Sequence, residues 1–337
     1  MKIEINAYAV PEKGAALVPF SYQAEVGAHD VLVKLTHRSI TRGDLQMMKN
    51  DWGDARFPLV PSHEMVGIVD RTGSRVTELK PGDRVGVGYQ VGACFECDFC
   101  RRGTEQFCSR QRVVGVHAYG GLAEHIVVDA RFAFPLPPQL APAPVTPLMS
   151  SGQTVFAAIT YAQLPRDARV AVLGIGGLGR VALRFLRAMG HRVSGFSRSP
   201  EKRQTIERLG AEYVDGADSA ALAAYRNTFD LILSTLNVPF DLNAYLGMLK
   251  PDGQLGLVAT PLQPLSLSAG VLYDYARRRI YGNYVGSRAD MTGMLDFVAT
   301  HHVAPDVTVM PFSSMREAID RVRSNEVATA LVLESLR

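Results

Sequence analysis

Cysteine is scarce in this 337-residue chain: there are four, and all fall within the window Cys94–Cys108. This distribution excludes a disulfide framework spread over the fold. Long apolar runs are also missing, since no stretch approaches the ~18 apolar residues that a membrane helix needs. The segment from Met1 to Asn6 lacks the apolar stretch of a secretory leader. We therefore expect a soluble, cytoplasmic protein with no membrane partner.

A strong excess of charge of one sign is absent too. Lys and Arg number 36 against 33 Asp and Glu, which gives a net charge of +3. This balance gives no sign of a nucleic-acid partner. Internal repeats and low-complexity tracts are likewise not visible, apart from one proline-rich stretch from Pro135 to Pro144. The length is sufficient for two domains, each with its own core.

The proline-rich stretch separates two kinds of pattern. Proline lacks an amide donor, so this stretch is predicted to be a connection and not a helix or a central strand. Short β-like runs precede it, at 31–35, 65–69, 84–87 and 125–128. Apolar strands alternate with helical patterns after it, at 169–173, 180–189 and 192–196. The sequence therefore predicts an α/β protein with a β-rich half followed by βαβ units and a parallel sheet.

The four cysteines follow the spacing Cys94-x2-Cys97-x2-Cys100-x7-Cys108. Short chelate loops of this kind suit a tetrahedral cage of four thiolates around zinc. We therefore predict one structural Zn²⁺ per chain. Disulfides are the alternative, but bridges between adjacent C-x2-C pairs are strained and nothing suggests secretion. An iron–sulfur cluster also needs four cysteines, and the rest of the sequence argues against it.

A glycine-rich motif directly follows the apolar strand that ends at Leu173. It consists of Gly174, Ile175, Gly176, Gly177, Leu178 and Gly179. Glycines at these positions allow a tight turn and a close approach of the backbone to a pyrophosphate, which the start of the following helix stabilises. The motif predicts a dinucleotide site that includes Leu178. A glycine-rich turn without a ligand is the alternative.

The end of the next strand bears on the choice between NAD and NADP. Ser197, Arg198, Ser199 and Lys202 follow there, and no acidic residue stands at the strand tip to bind ribose hydroxyls and repel a 2′-phosphate. Two hydroxyls and two cations form a plausible phosphate clamp through charge-assisted hydrogen bonds. The sequence favours NADP(H). A solvated turn with serine caps is the alternative.

Together these features resemble the medium-chain, zinc-type alcohol dehydrogenases, nearest the cinnamyl-alcohol-dehydrogenase branch, over essentially the whole chain. Further matching segments lie at 50–53, 58–64, 81–85, 120–124, 147–148, 249–253 and 285–288. The resemblance implies a GroES-like catalytic domain at 1–152 and 288–337, with a structural zinc lobe at 90–110, and a Rossmann domain at 153–287. It also implies a homodimer, a small-molecule substrate, and cofactor contacts from Arg42, Thr154 and Val258.

The chain departs from this family where members hold a second, catalytic zinc. They usually use a cysteine in the first half, a His-Glu pair, and another cysteine after a Pro-Leu segment. Here Thr41 and Ser150 fall at the two cysteine positions, so His63 and Glu64 are all that remains of the ligand set. Ser62 stands where the family usually has glycine. Because alcohols are poor zinc ligands, we expect no catalytic zinc.

Other departures concern proton transfer and the cofactor. Gly43 replaces the hydroxyl that normally starts the proton relay, and Ala330 replaces an arginine often used near the cofactor. Tyr89 places a phenol in the pocket region, as either a donor or an aromatic wall, and Tyr119 is a further donor candidate. The predicted catalytic set is Thr41, His63, Glu64, Tyr89 and Ser150. A vestigial, hydrogen-bonded role for the His-Glu pair is the alternative.

The function predicted from these features is reduction by NADPH without a catalytic zinc. Hydride would go to an acceptor that is already electron-poor, either the conjugated C=C of an enone or enal or an iminium. Family members recruited to specialised metabolism offer a parallel. Two alternatives remain: a zinc-dependent alcohol dehydrogenase or aldehyde reductase of the cinnamyl type, and a catalytically silent NADPH-binding protein.

Overall fold

The computed structural model describes residues 2–325, 327 and 329–335. The chain divides into two compact units, one formed by residues 1–150 with 287–337 and the other by residues 151–286. These boundaries lie within two residues of those expected from the sequence, after residue 152 and before residue 288. In the described part of the chain, no helix combines the length and apolar character needed to span a bilayer.

Within the described residues, the strands fall into four sheets. In chain order they are β1 (Lys2–Ala9), β2 (Val18–Glu25), β3 (Asp30–Ile40), β4 (Met65–Thr72), β5 (Arg84–Val87), β6 (Gln90–Gly92), β7 (Arg112–Val113), β8 (His125–Asp129), β9 (Ala133–Pro135), β10 (Arg169–Leu173), β11 (Arg192–Ser197), β12 (Glu212–Asp215), β13 (Phe229–Ser234), β14 (Leu249–Leu257), β15 (Arg279–Gly282), β16 (Val307–Pro311) and β17 (Ala330–Glu334).

The helices are mostly short. In chain order they are α1 (Arg42–Met48), α2 (Asp98–Arg101), α3 (Pro142–Val145), α4 (Ser151–Ala162), α5 (Gly177–Ala188), α6 (Arg203–Arg208), α7 (Ser219–Ala223), α8 (Leu242–Gly247), α9 (Gly270–Tyr273), α10 (Arg288–His301) and α11 (Met315–Ser324). Single 3₁₀ turns lie at Glu105–Phe107, Ala130–Phe132, Thr146–Met149, Pro200–Lys202 and Phe312–Ser314.

The first unit is built around a mixed sheet with the order β16-β17-β3-β4-β5-β9, and β8 also pairs with β3. Strand β17, near the C-terminus, pairs antiparallel with β3, so both ends of the chain contribute to one sheet. Val31, Leu32 and Val33 of β3 are fully buried in its core. The pairs β1-β2 and β6-β7 form two small sheets. This unit carries Thr41 and His63, at positions next to β3 and β4.

The second unit holds a sheet of six strands in the order β12-β11-β10-β13-β14-β15, and all neighbouring pairs are parallel. Relative to β10 this is the strand order 3-2-1-4-5-6 of a dinucleotide-binding sheet. Val170, Ala171 and Val172 of β10 are all buried, as expected for a strand covered on both faces. The predicted α/β class with a doubly wound parallel sheet is confirmed.

The proline-rich stretch was predicted to be a plain connection, but it contains the end of a strand and the start of a helix. Pro135 closes β9, which is an edge strand, and Pro142 opens the short helix α3. Both places tolerate proline, because an edge strand and the first helical position need no amide donor there. Helix α5 begins at Gly177, inside the glycine motif that was predicted to open a helix, and ends at Ala188.

Candidate active site

Asp44 is the centre of a buried hydrogen-bond cluster at the start of α1. Its Oδ2 accepts from the backbone N of Thr41 at 2.8 Å and from Thr41 Oγ1 at 2.9 Å. Thr41 Oγ1 in turn accepts from the backbone N of Asp44 at 3.2 Å, which completes a capping box. The hydroxyl hydrogen of Thr41 is therefore directed to Asp44. In this arrangement Thr41 positions the carboxylate.

The other oxygen of Asp44 orients His63. His63 Nδ1 lies 2.8 Å from Asp44 Oδ1, and the backbone N of Ser62 donates to the same oxygen at 2.9 Å. The side chains of His63 and Asp44 are 11% and 1% exposed. With Nδ1 bound to the carboxylate, Nε2 is the ring nitrogen left to face a ligand.

The ionisation of this pair follows from burial and attraction. Burial disfavours the charged form of both groups, but the Asp44 charge and its hydrogen bond outweigh burial at His63 and raise the pKa of His63 above 6.5. The nearby Glu64 carboxylate raises that pKa further. Burial likewise works against the Asp44 anion, yet His63 and Thr41 hold the pKa of Asp44 below its ordinary 3.8. Both shifts favour the form of the pair in which His63 is an imidazolium and Asp44 a carboxylate.

Tyr89 and Gly43 border the His63 ring. The ring of Tyr89 meets it edge to face, with centroids 5.9 Å apart and planes at 86°. Tyr89 is itself buried. A Cβ on residue 43 would lie 3.2 Å from His63 Cε1, so Gly43 leaves room for the ring where a larger side chain would press on it. The structure thus brings Tyr89 to His63, and its role as a donor or an aromatic wall stays a prediction.

Glu64 is buried and held in a network of serines. Its carboxylate accepts a hydrogen bond from the Ser39 hydroxyl, and its backbone O accepts from Ser39 N at 3.0 Å. The Ser62 hydroxyl donates to Ser39 O at 2.9 Å. Ser62 has φ +77°, in the left-handed region that favours glycine, so this bond accompanies a strained backbone. The network ties Glu64 to Ser39.

Ser150 and Tyr119 occupy different surroundings. Ser150 is buried just after the 3₁₀ turn Thr146–Met149, which packs against β3 and β4. Strand β3 ends immediately before Thr41, and strand β4 begins immediately after Glu64. Tyr119 packs its ring against Tyr22 of β2, with centroids 4.3 Å apart. Tyr119 is therefore placed beside the β1-β2 hairpin.

The four cysteines converge as their spacing predicts. Their sulfur atoms all lie within 4.8 Å of one another. Cys94 Sγ is 3.9 Å from Cys100 Sγ and 3.5 Å from Cys108 Sγ. Sulfurs bound to one tetrahedral zinc at about 2.3 Å would be about 3.8 Å apart, so the cluster fits this ion. Amide donors at Glu96 and Cys97 lower the pKa of Cys94 to about 6, which favours the thiolate.

The glycine motif forms a cradle at the carboxyl end of β10. Gly174 has φ +82°, and a Cβ on Gly179 would collide with Gly174 O, so both are needed for the turn and the close packing of α5. A Cβ on Gly176 or Gly177 would instead enter open space. No side chain caps the first turn of α5. The open space and the uncapped amides suit a pyrophosphate.

The predicted phosphate clamp lines one end of a cavity of about 780 Å³ in the second unit. Ser197, Arg198, Ser199 and Lys202 all contribute to its wall, together with Gly174. Ser197 Oγ accepts from Ser199 N at 3.1 Å, which orders the turn after β11. The hydroxyl of Ser199 caps no helix. The structure thus places these four side chains together at the carboxyl edge of the sheet.

Three residues predicted to contact the cofactor have other partners on their own units. Thr154 Oγ1 donates to Tyr284 O at 2.9 Å. Val258 follows β14 and donates its backbone N to Ser234 O. Arg42 is exposed, and its Nη2 donates to Asn325 Oδ1 at 3.1 Å. Their roles toward a cofactor stay predictions.

Sequence reasoning missed the roles of Asp44 and Ser39. The signal for Asp44 was present, because Thr41-x-x-Asp44 has the spacing of a capping box. Nothing in the sequence indicated that the same carboxylate would reach across to His63, nineteen positions along the chain. The hydrogen bond from Ser39 to Glu64 likewise forms only because the fold brings two separate segments of the chain together.

Comparisons with known proteins agree with this geometry. Residues 27–138 match the alcohol dehydrogenase GroES-like domain, and residues 177–300 match the zinc-binding dehydrogenase family. Aldehyde reductase AdhA of Synechocystis sp. is 35% identical over 331 residues, which cover 98% of each chain. NADP-dependent alcohol dehydrogenase C 1 of Mycolicibacterium smegmatis is 35% identical over 342 residues, also 98% of each chain.

Solved structures agree as well. A cinnamyl alcohol dehydrogenase of Sorghum bicolor superposes with a TM-score of 0.93 at 34% identity, with 98% of each chain covered. The cinnamyl alcohol dehydrogenase of Helicobacter pylori complexed with NADP(H) gives 0.91 at 26% identity, with 99% of each covered. The predicted GroES-like and Rossmann architecture is confirmed. The chain belongs to the medium-chain, zinc-type alcohol dehydrogenases, a family of oxidoreductases, and is similar to its cinnamyl-alcohol-dehydrogenase branch.

Proposed function

We propose that this oxidoreductase is an NADPH-dependent reductase that works without a catalytic zinc. Its acceptor is the conjugated C=C of an enone or enal, and protonated His63 is the acid. The observation that carries the proposal is the Asp44–His63 pair. Nδ1 of the imidazole lies 2.8 Å from the carboxylate, so Nε2 is the nitrogen that can donate to a substrate. The pair supplies an N–H donor at the histidine position of the family's ligand set, and Asp44 favours its cationic form.

The residues at the family's four catalytic-zinc positions do not form a donor set that fits a zinc ion. The Thr41 hydroxyl donates to Asp44, and the Glu64 carboxylate accepts from Ser39. Ser150 offers another neutral alcohol, which is a poor zinc ligand compared with a thiolate. Among the described residues, the cysteine cluster is the group of His, Cys, Asp and Glu side chains spaced to hold a metal. We assign one structural zinc to Cys94, Cys97, Cys100 and Cys108, where it would stabilise the fold.

The second unit offers a fitting cradle for NADPH. The uncapped start of α5 and the open space over Gly176 and Gly177 suit the pyrophosphate. Arg198 and Lys202, with the hydroxyls of Ser197 and Ser199, suit the 2′-phosphate. When bound, NADPH supplies a hydride to an electrophilic carbon.

His63 supplies the polarisation that the acceptor needs. Its Nε2–H donates to the carbonyl oxygen of the enone or enal, and Asp44 stabilises the positive ring. As the β-carbon gains a hydride, the C=C π electrons move toward oxygen, and the Nε2 proton passes to the developing enolate. The enol then tautomerises to the saturated carbonyl compound, and His63 recovers its proton from water. An iminium nitrogen has no lone pair to accept this bond, so the donor favours the enone or enal.

The test is NADPH oxidation with a matched substrate panel. We expect a cyclic enone or 2-alkenal to be consumed, with the saturated carbonyl compound as product by mass spectrometry, and a saturated aldehyde to react far more slowly. His63→Gln should lower kcat about 10²- to 10⁴-fold, the usual contribution of a general acid. His37→Gln, a change at the histidine beside Glu334 in the same unit, is the control and should retain activity.

Two results would overturn the proposal. Faster, zinc-dependent reduction of the saturated aldehyde would indicate the zinc-dependent cinnamyl-type enzyme. NADPH binding without turnover of any substrate in the panel would indicate a silent NADPH-binding protein.

A further inference from the structure

The cavity of the second unit extends beyond the phosphate clamp. Its wall includes Arg198 after β11 and also Arg226 and Arg278, which precede β13 and β15. Because all strands of this sheet are parallel, residues after a strand and residues before one lie at opposite edges. Arg226 and Arg278 are therefore at the amino edge, whereas the clamp is at the carboxyl edge.

The two edges are too far apart for one phosphate-binding subsite. Strand β13 has six residues, which at about 3.3 Å each place its first and last Cα atoms roughly 17 Å apart. Dinucleotides bind outside the carboxyl ends of the strands in sheets of this kind. The amino-edge part of the cavity therefore lies outside the expected dinucleotide crevice, and it is a separate subsite.

The amino-edge subsite is cationic. Arg278 donates to Leu249 O at 2.9 Å, to Val271 O at 2.8 Å and to Asn227 Oδ1 at 2.6 Å, so its guanidinium is fixed in place. Arg226 is exposed and forms no ion pair with any residue that the structure describes. Burial lowers the pKa of Arg278, and repulsion from Arg226 lowers it further. Asp274, the carboxylate that lines this part of the cavity, raises that pKa. Two cations against one anion leave a net positive subsite.

The cavity wall also includes apolar side chains. Leu222 of α7, Ala244 of α8 and Val271 of α9 line it, and all three keep accessible surface. A ligand bound to the arginines would therefore lay an apolar body along these side chains, whereas a small inorganic anion would leave them exposed to water.

We propose that this subsite binds a small amphipathic carboxylate, with its head at Arg226 and Arg278 and its apolar body against Leu222, Ala244 and Val271. Such a ligand matches both the charge and the surface of the cavity. It would bind together with the nucleotide, because its subsite is at the other edge of the sheet. This assignment does not depend on the reaction proposed above.

The test is titration of the full chain with decanoate, below its micelle concentration, by isothermal calorimetry. We expect binding with the same affinity in the absence of NADP⁺ and at saturating NADP⁺. Arg226→Ala should weaken it at least 10-fold, and decan-1-ol should also bind at least 10-fold more weakly than decanoate. Arg277→Ala is the matched control, since Arg277 pairs with Asp252 and does not line the cavity; it should leave the affinity unchanged.

Three outcomes would overturn the assignment. One is the absence of decanoate binding, and another is equal binding to the Arg226→Ala variant, which would place the ligand elsewhere. The third is competition with NADP⁺, which would place it in the dinucleotide crevice. Arg226 is exposed, so its replacement leaves the core of this unit intact. A change in decanoate affinity in the variant therefore reports on the subsite and not on folding.

Discussion

Asp44 Oδ1 lies 2.8 Å from His63 Nδ1, and the same carboxylate caps helix α1 through Thr41. One buried carboxylate thereby fixes both the start of a helix and the orientation of an imidazole. In metal sites of this general design such a carboxylate orients a histidine ligand. Here Thr41 and Ser150 stand at the two cysteine positions of the ligand set, and in the proposed function the pair acts as an acid.

The pH profile of kcat should reflect this pair. The pKa of His63 is raised above 6.5 in the folded protein, so its acid form persists to higher pH than in a free imidazole and is lost as pH rises through the raised pKa. Asp44→Asn removes the anion and should shift the alkaline limb to lower pH. A charged hydrogen bond is worth about 1.5–3 kcal/mol, so kcat at pH 7 should fall about 10- to 100-fold. An unshifted limb in the variant would show that Asp44 does not set this ionisation.

The two kinds of glycine in the nucleotide motif should behave differently. A Cβ on Gly177 enters open space, so Gly177→Val should fold normally but weaken NADPH binding at least 10-fold by occupying the cradle. A Cβ on Gly179 meets Gly174 O, so Gly179→Ala should mainly lower the melting temperature. Thermal denaturation with and without NADPH separates the two effects. Unchanged NADPH affinity in Gly177→Val would place the pyrophosphate elsewhere.

Cofactor preference should depend on the side chains after β11. Lys202→Ala and Arg198→Ala each remove a cation from the carboxyl-edge end of the cavity. Each should raise the Kd for NADPH about 10-fold, in line with about 1.5 kcal/mol for a charge-assisted bond, and should leave the Kd for NADH nearly unchanged. Fluorescence titration with both nucleotides provides the check. Equal losses for the two would indicate a structural effect of the substitutions.

Restoring the family's thiolates should restore a second metal. The double variant Thr41→Cys, Ser150→Cys would surround His63 with the ligand types that zinc prefers. It should bind about one more zinc per chain than the parent, at a cost of about 1 kcal/mol in stability from loss of the Thr41 cap. Metal analysis after dialysis measures this. An unchanged zinc content would show that these positions do not converge on His63.

Much of this architecture was readable in the sequence. The cysteine spacing predicted a cluster whose sulfurs do converge, and the glycine motif predicted the turn at the end of β10, because both depend on short local spacing. The bond from Asp44 to His63 was not predictable, since it depends on how β3 and β4 pair in the sheet. The cavity at the amino edge was also missed, because Arg226 and Arg278 are separated along the chain and carry no motif.

The zinc content of catalytically active protein tests the central claim most directly. The purified chain, shown to oxidise NADPH with an enone, would be analysed for zinc per chain by plasma mass spectrometry after exhaustive dialysis. One zinc per chain, held by the cysteine cluster, is the predicted result. Two zinc ions per chain, with activity lost as the second is removed, would contradict it.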